Sequence, residues 1–218
     1  GVIQLYSTGQ AFAALKADGS VVTWGDRNSG GDAGDPSDPA SAAAHLTSGV
    51  VRIYSADYAF AALKDDGSVV TWGSPTSGGD SSAVASDLSS DVVAISSTVT
   101  AFAALKSDGS VVTWGNDRYG GDAAHDVPGQ LDADVVRVFA TDQAFAALKR
   151  DGSVVTWGKD THGGDSSAVA DHLGSDVTGI SSTTQAFAAR KADGSVITWG
   201  DWRYGGDAAH DVPGQLDA

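Results

Sequence analysis

A single stretch, AFAALKSDGSVVTWG at 101–115, recurs five times along the chain with few changes. Successive copies of its phenylalanine are spaced by 48, 42, 43 and 42 residues. A unit of this length is too short to bury a core of its own, so the units must stack on one another. The repeat therefore predicts one domain over 1–218, with units at approximately 1–49, 50–91, 92–134, 135–176 and 177–218.

Each unit contains the pattern of a short strand followed by a β-hairpin. The unit opens with a β-branched segment such as Val50 to Ile53, which predicts a first strand. Two apolar runs then flank an Asp-Gly pair, for example Asp108-Gly109. Asp-Gly between apolar runs is the strongest short-range hairpin signal, because glycine adopts the positive φ of the turn without steric cost. We expect the alanine-rich strand of this hairpin to lie where the units converge on an axis.

A variable turn and a short helical segment complete each unit. The turn follows Trp-Gly and ends at Gly-Gly-Asp in all five units. The segment that begins at Ser81 predicts one or two helical turns with a serine N-cap. Its counterpart from Ala123 to Leu131 contains Pro and Gly, which predicts too many interruptions for a helix. Unit one carries six extra residues in this region.

The fold class predicted from these patterns is an all-β β-propeller of five similar blades. Each blade of about 42–48 residues would hold three to four strands and a short helical turn. Joining the two termini would continue the pattern with a spacing of 43 residues. The sequence therefore allows two arrangements: five units that close into a ring, which would be monomeric, or five units cut from a longer array. The chain begins at Gly1 and contains no methionine, so we expect a processed or excised piece.

The complete unit resembles the repeat of the regulator of chromosome condensation family, most specifically in the Asp-Gly hairpin followed by Val-Val-Thr-Trp-Gly115. Members of that family are β-propellers, usually of seven blades, so the resemblance implies radial blades around a channel. Similar units also occur in secreted bacterial propellers that bind proteins and in very long repetitive proteins of marine microbes. The resemblance to these proteins implies an extracellular or cell-surface location.

The amino-acid composition argues against several classes of binding partner. The 28 acidic residues are all aspartate and exceed the 13 lysines and arginines, which gives a net charge of −15. Nucleic acids and anionic lipids are bound by clustered basic residues, which this chain lacks, so neither is an expected partner. The chain has no cysteine, and no apolar run approaches the length of a membrane span, so disulfides and membrane insertion are not expected.

The chain carries no motif of an enzyme. There is no glutamate, no Gly-x-Ser-x-Gly elbow and no phosphate-binding Gly-x-x-x-x-Gly-Lys loop. The five histidines do not form a His-x-x-x-His pair, which argues against zinc. The repeat tryptophan occupies one fixed place in every unit, which indicates a core residue rather than a platform for sugars. We therefore expect a non-enzymatic protein without a required cofactor.

Aromatic and basic residues that depart from the repeat recur at equivalent places in the variable turns after Trp-Gly. Such residues on a rigid scaffold are typical of binding hot spots. The alternative is a solvated turn in which the arginines pair with nearby aspartates. The candidate ligand-binding residues are Arg27, Arg118, Tyr119, His162, Trp202, Arg203 and Tyr204.

The insertion in unit one is a weaker candidate for a calcium site. Asp32, Asp35 and Asp38 lie close together there, and aspartate is a calcium ligand. The alternative is that Asp32 and its repeat equivalents cap the turn that follows each of them. Neither the EF-hand spacing nor the nonapeptide of calcium-bound β-helices is present.

Two functions are compatible with these features. The first is a propeller that serves as a binding or adhesion scaffold and recognises a protein or a glycan through the variable turns. The second is a structural spacer or self-assembling subunit of a large extracellular protein, with calcium as a candidate stabilising ion.

Overall fold

A computed structural model describes residues 1–207, and these form five antiparallel sheets of three strands each. The strands of each sheet, here called a blade, follow one another in sequence as a meander. The fifteen strands are β1 Val2–Ser7, β2 Ala11–Lys16, β3 Val21–Gly25, β4 Val50–Ser55, β5 Ala59–Lys64, β6 Val69–Gly73, β7 Val92–Ser97, β8 Ala101–Lys106, β9 Val111–Gly115, β10 Val135–Ala140, β11 Ala144–Lys149, β12 Val154–Gly158, β13 Val177–Ser182, β14 Ala186–Lys191 and β15 Val196–Gly200. The predicted all-β propeller of five blades is confirmed, with three strands per blade.

The hairpin of each blade forms as the Asp-Gly signal predicts. In blade 1, the Asp18 carboxylate accepts hydrogen bonds from the Ser20 backbone N–H (3.0 Å) and from the Ser20 hydroxyl (2.6 Å). Strand pairing then places Phe12 directly opposite Trp24, and the two rings stack with their centroids 5.4 Å apart. The same turn bonds and the same stack recur in all five blades.

The apolar core lies in the seams between consecutive blades. In the seam between blades 3 and 4, Ala101, Ala103 and Leu105 face the Phe145 and Trp157 rings of the next blade. Small side chains on one sheet let the large rings of the next sheet fill the space between them. Equivalent clusters fill the seams between blades 1 and 2, 2 and 3, and 4 and 5.

The first strand of each blade is the innermost one. The links after the first strands contact one another, and their backbone hydrogen bonds run from Gly9 to Asp57, Val99, Asp142 and Thr184 in turn. The alanine-rich strand is instead the middle strand of each blade, between two neighbours. The expectation that its alanines lie at the axis is therefore wrong: close approach occurs between blades, across the flat faces of the sheets.

Blades 1 and 5 form no equivalent seam among residues 1–207. Phe12 is 47% exposed and Trp24 is 44% exposed, whereas the equivalent rings of blades 2 to 5 are at most 4% exposed. The structure is thus an open arc of five blades, and of the two arrangements allowed by the sequence it does not show the closed ring. Residues 208–218, which include the end of the predicted fifth unit, lie outside the described residues.

The short helical segments differ from their prediction. Ala123–Asp126 is an α-helix, because the Asp122 carboxylate accepts from the His125 backbone N–H and caps it. The segment after Ser81 forms only a 3₁₀ turn, and the Ser81 side chain makes no cap bond. The Ser81 hydroxyl forms a hydrogen bond with the Thr71 hydroxyl instead, so the serine predicted as an N-cap does not cap the helix. The turn after Ser81 is the 3₁₀ helix Ser82–Val84. The equivalent segments of blades 1 and 4 are the α-helix Ala42–His45 and the 3₁₀ helix Ser167–His172.

Candidate functional site

The variable turns after Trp-Gly are five short 3₁₀ turns on one face of the arc. Each turn has three residues and ends at a glycine in the left-handed conformation, for example Gly120 with φ 93°. Phe145 of the next blade packs against this glycine, where a Cβ would come within 2.5 Å of the ring. The five turns are Arg27–Ser29, Pro75–Ser77, Asp117–Tyr119, Asp160–His162 and Trp202–Tyr204.

A threonine in the link after the first strand holds the turn in four of the five blades. In blade 4, the Thr141 hydroxyl donates to the His162 carbonyl oxygen (3.0 Å) and accepts from the Ala144 backbone N–H (3.0 Å). Blade 2 has Ala56 at this position. Links and turns therefore lie on the same face, which we call the turn face, and the hairpin turns lie on the opposite one. The equivalent threonines are Thr8, Thr98 and Thr183.

The third residue of the turn differs in burial from blade to blade. The third residue faces the interior of the fold in several blades: Ser29, Ser77 and His162 are buried. Burial lowers the pKa of His162, and the neighbouring Lys159 charge lowers it further. The imidazole of His162 is therefore buried in the interior, and it is not exposed on the turn face with the other predicted binding residues.

The three predicted arginines differ in their partners. The Arg27 guanidinium pairs with Asp32 at 2.7 Å, and the Arg203 guanidinium pairs with Asp201 at 2.8 Å. These two pairs match the alternative in which arginines neutralise nearby aspartates. Arg118 is exposed and has no ion pair in the described chain, because Asn116 replaces the aspartate found at Asp201.

The aromatic and basic side chains of the turns are concentrated in blades 3 to 5, where Arg118, Trp202 and Tyr204 are exposed while Tyr119 and Lys159 are half-buried. The Lys159 ammonium lies 5.7 Å from the centre of the Tyr119 ring and so connects the turns of blades 3 and 4. Trp202 is 62% exposed and Tyr204 is 43% exposed in the turn of blade 5. We call Arg118, Tyr119, Lys159, Trp202 and Tyr204 the aromatic cluster. Lys159 was not among the predicted residues, although a lysine where the other units have Asp, Ser or Asn is a visible change of charge.

The centre of the turn face is acidic. A cavity of about 440 Å³ lies among the links of blades 1 to 4, and the carboxylates of Asp57 and Asp142 line it. Burial raises the pKa of Asp57, and repulsion from Asp142 raises it further. Sequence reasoning missed this pair, because the two aspartates are 85 residues apart and stand where other units carry Gly, Val or Thr.

The three insertion aspartates, Asp32, Asp35 and Asp38, are not gathered into one group in the described part of the chain. Asp32 accepts from the Gly34 backbone N–H and pairs with Arg27, which together lower its pKa. Asp35 and Asp38 each accept a backbone N–H two residues ahead, so each closes its own turn. No group of three acidic or histidine side chains within residues 1–207 is placed to hold a metal ion. The alternative, turn capping, is what the structure shows.

Comparison with known proteins gives matches among solved structures alone. No family model and no curated protein matches the chain. Human WBSCR16 aligns at 16% identity and a TM-score of 0.55 over 91% of this chain and 61% of its own. Yeast RCC1 (Prp20), solved bound to Kap60, aligns at 16% identity with the same TM-score over 91% of this chain and 56% of its own. The ectodomain of the Physcomitrella patens receptor kinase CR4 aligns at 16% identity and 0.53 over 92% of this chain and 50% of its own.

The fold is that of an RCC1-like β-propeller. The predicted resemblance is thus confirmed at the level of the fold. This chain spans between half and about three-fifths of the length of the propellers it matches.

Within this RCC1-like propeller, four of the five repeat tryptophans are core residues, as predicted. Each donates its indole N–H to the carbonyl oxygen of the turn-ending glycine in the preceding blade, as Trp157 does to Gly120 at 3.1 Å. Trp24 is the exception: among residues 1–207 no blade covers its face, and it is 44% exposed. No helix within residues 1–207 of the propeller is long and apolar enough to cross a membrane.

Proposed function

We propose that this chain is a non-enzymatic propeller scaffold that binds a protein through the aromatic cluster of the turn face. The observation that carries the proposal is the exposure of Trp202 and Tyr204 on the turn of blade 5, and of Arg118 on the turn of blade 3, on turns that the fold holds rigidly. Tryptophan, tyrosine and arginine dominate the energetics of protein interfaces. Because the turn backbones are already hydrogen-bonded, binding would cost little ordering entropy.

The charge distribution suggests what the partner presents. The cavity at the centre of the turn face holds Asp57 and Asp142, and the whole chain carries a charge of −15. A partner with a lysine or arginine aimed at the cavity would relieve the repulsion between these two carboxylates. Complementary charge would also accelerate the encounter of the two proteins. We therefore favour a basic protein surface as the ligand.

The matched propellers support protein binding as a general role for such folds. One yeast RCC1 structure contains Kap60, and another report on Prp20p concerns its binding to Gsp1p and histones. The receptor-kinase propeller from Physcomitrella is an ectodomain, which supports our proposal that this chain acts outside the cell or at its surface.

The test compares one double variant and one single variant, each of which removes an exposed tryptophan. Immobilised wild-type chain, Trp202→Ala/Tyr204→Ala and Trp24→Ala would be used to capture proteins from an extracellular fraction. We expect the Trp202→Ala/Tyr204→Ala profile to lose bands that wild type and Trp24→Ala both retain. Identical profiles would exclude the aromatic cluster as the binding site.

A glycan array probed with the same three proteins decides the chemical class of the ligand. Binding to glycans that is lost with Trp202 and Tyr204 would replace the protein partner by a carbohydrate. Absence of glycan binding, together with a changed capture profile, would support a protein partner.

A further inference from the structure

The outer face of blade 1 exposes side chains whose counterparts in the other four blades pack into the seams. Leu5 is 60% exposed, Phe12 47%, Val22 52% and Trp24 44%. At the positions of Phe12 and Trp24, blades 2 to 5 have rings that are fully or nearly fully buried. We call these four residues the leading face. Contiguous exposed apolar surface of this kind marks an interaction site.

The four seams inside the molecule show what covers such a face. Each is covered by the preceding blade, which supplies two alanines and a leucine of its middle strand, a second leucine from the segment after its turn, and the glycine that ends the turn. The blade 5 counterpart of the second leucine lies outside the described residues. That glycine makes room for the phenylalanine ring, and its carbonyl oxygen accepts from the tryptophan indole N–H at 3.0–3.1 Å.

The other end of the arc carries the matching surface. Ala186, Ala188 and Gly205 of blade 5 stand at the positions that cover a leading face in the internal seams, and we call them the trailing face. Gly205 is exposed, Ala188 is half-buried and Ala186 is buried in the described chain. No atom of the described chain lies within 4 Å of the place where a Cβ on Gly205 would stand. The equivalent place on Gly30, Gly78, Gly120 and Gly163 is filled by a phenylalanine ring.

Backbone and indole groups without a hydrogen-bond partner are also complementary between the two end faces. The Trp24 indole N–H has no acceptor, and the Gly205 carbonyl oxygen has no donor, among residues 1–207. The chain of hydrogen bonds between links also ends without partners: in the described residues, the Thr184 N–H donates to nothing and the Gly9 carbonyl accepts nothing. Each end of the arc thus carries the hydrogen-bonding groups that the other end lacks.

We propose that the leading face of one molecule binds the trailing face of a second copy, so that the chains associate head to tail. Phe12 would pack against Gly205 of the second copy, Trp24 would donate to the carbonyl of that glycine, and Thr184 of the second copy would donate to the Gly9 carbonyl. The contact repeats a seam that the same sequence already forms four times. Because the two faces differ, the interface is heterologous, and copies add until the assembly closes or continues as a filament.

Arg190 adjusts the strength of this contact. It stands where the other four blades carry a buried leucine, as Leu148 does in blade 4, and it is exposed. In a head-to-tail seam its aliphatic stem would lie on the second molecule while the guanidinium reached water. The residue therefore weakens the seam relative to the internal ones, and the association should be reversible. Added salt should strengthen it by screening the repulsion between two chains of charge −15.

The first test is sedimentation velocity of the purified chain over a wide range of concentration. We expect wild type to form species heavier than the monomer as concentration rises. Trp24→Ala should raise the dissociation constant at least about 30-fold, as loss of a central aromatic anchor does. Tyr58→Ala is the matched control, since it removes an aromatic ring of similar exposure, 42% against 44% for Trp24, that belongs to neither end face nor the aromatic cluster. Arg190→Leu should tighten the association by about tenfold.

The trailing face is tested by a second pair of matched variants. Gly205→Ala and Gly194→Ala both place a Cβ on a glycine of positive φ, 92° and 97°, with no neighbouring atom within 4 Å in the described monomer. Only at Gly205 would the new methyl group collide with a docked Phe12, so only Gly205→Ala should abolish association. Circular dichroism would confirm that each variant is folded.

Mixing the variants tests the polarity of the contact. Trp24→Ala retains an intact trailing face and Gly205→Ala retains an intact leading face, so the two should form a one-to-one dimer although neither self-associates. A wild-type chain that is monomeric at every concentration would overturn the proposal. So would assembly that both variants leave unchanged, or a mixture of the two that does not form the dimer.

Discussion

The Phe–Trp pairs of blades 1 and 4 have the same local geometry and different surroundings. Phe12 and Trp24 stack at 5.4 Å and 19°, and Phe145 and Trp157 stack at 5.2 Å and 22°. The first pair is nearly half exposed, whereas the second pair is at most 1% exposed. The stack is therefore a property of the hairpin register, and burial is a property of the neighbouring blade.

This difference separates two kinds of interaction in the molecule. Contacts within a blade, such as the hairpin turn and the ring stack, should have the same strength in every blade. Contacts across a seam should stabilise the fold only where a preceding blade is present. Each prediction below compares one change in an internal blade with the same change at an end of the arc.

The largest difference is expected for the repeat tryptophan. Trp157→Ala should lower the free energy of unfolding by about 3–5 kcal/mol, because it empties a buried site in a seam. Trp24→Ala should cost about 1 kcal/mol, the worth of an exposed ring stack. Urea denaturation of both variants, at a concentration where the chain is monomeric, measures the two losses. Equal losses would show that blade 1 is covered in solution.

The turn-ending glycine should give the next largest difference. Gly120→Ala forces a Cβ to 2.5 Å from the Phe145 ring in addition to adopting a positive φ. We expect a loss of about 3 kcal/mol, which combines backbone strain with overpacking. Gly205→Ala has the strain alone and should cost about 1–2 kcal/mol. Thermal unfolding of the two variants measures the difference, and similar melting temperatures would contradict the open end of blade 5.

The link threonine should show a smaller difference. Thr141→Val removes a buried hydroxyl that donates to the His162 carbonyl and accepts from the Ala144 N–H, and the loss should be about 1–2 kcal/mol. Thr183→Val removes the same two bonds in blade 5, where the threonine is exposed and water replaces them. Its effect should be under about 0.5 kcal/mol. A larger loss at Thr183 than at Thr141 would contradict the assignment.

The smallest difference, close to none, is expected at the hairpin turns. Hydrogen bonds from the Ser20 hydroxyl and backbone N–H lower the pKa of Asp18 to about 2, and equivalent serine bonds lower the pKa of Asp151. Because the folded-state pKa lies below the unfolded value of 3.8, this contribution to stability is complete above 3.8 and is lost as pH falls towards 2.

An NMR titration of the two carboxyl groups tests whether the turns are independent of the seams. Ser20→Ala and Ser153→Ala should each raise the pKa of the aspartate two residues earlier, in blade 1 and blade 4 alike. A rise confined to blade 4 would show that the neighbouring blade, and not the local turn, sets the carboxyl pKa.

The sequence predicted most of what is local in this fold. The Asp18-Gly19 turn, the strand order and the core role of Trp157 follow from short-range pattern, because turn conformation and register depend on adjacent residues. The sequence predicted less well which of the candidate binding residues would be buried and which exposed. His162 and Tyr204 occupy the same place in their turns, and one is buried while the other is 43% exposed. Burial at that place depends on the neighbouring blade, which turn sequences do not encode.

The ion pairs of the turn arginines show the same division between what the sequence predicted and what the structure decided. The sequence alone left open whether the arginines were free or paired with aspartates. A single residue decides it: Asp201 holds Arg203, and Asn116 leaves Arg118 without a partner. The serine N-cap was predicted wrongly because Ser81 can satisfy its hydroxyl either at the helix end or on Thr71, and only packing selects between them.

The sequence by itself determined that each unit folds as a hairpin-bearing blade and that blades must stack, since the apolar pattern repeats on both faces of every sheet. Only the tertiary structure decided which of those faces is covered. Phe12 and Phe60 have the same neighbours in sequence, yet the first ring is exposed and the second is buried. The physical reason is that burial requires a second surface, and the number and curvature of stacked blades, which no single repeat contains, decide whether that surface is present.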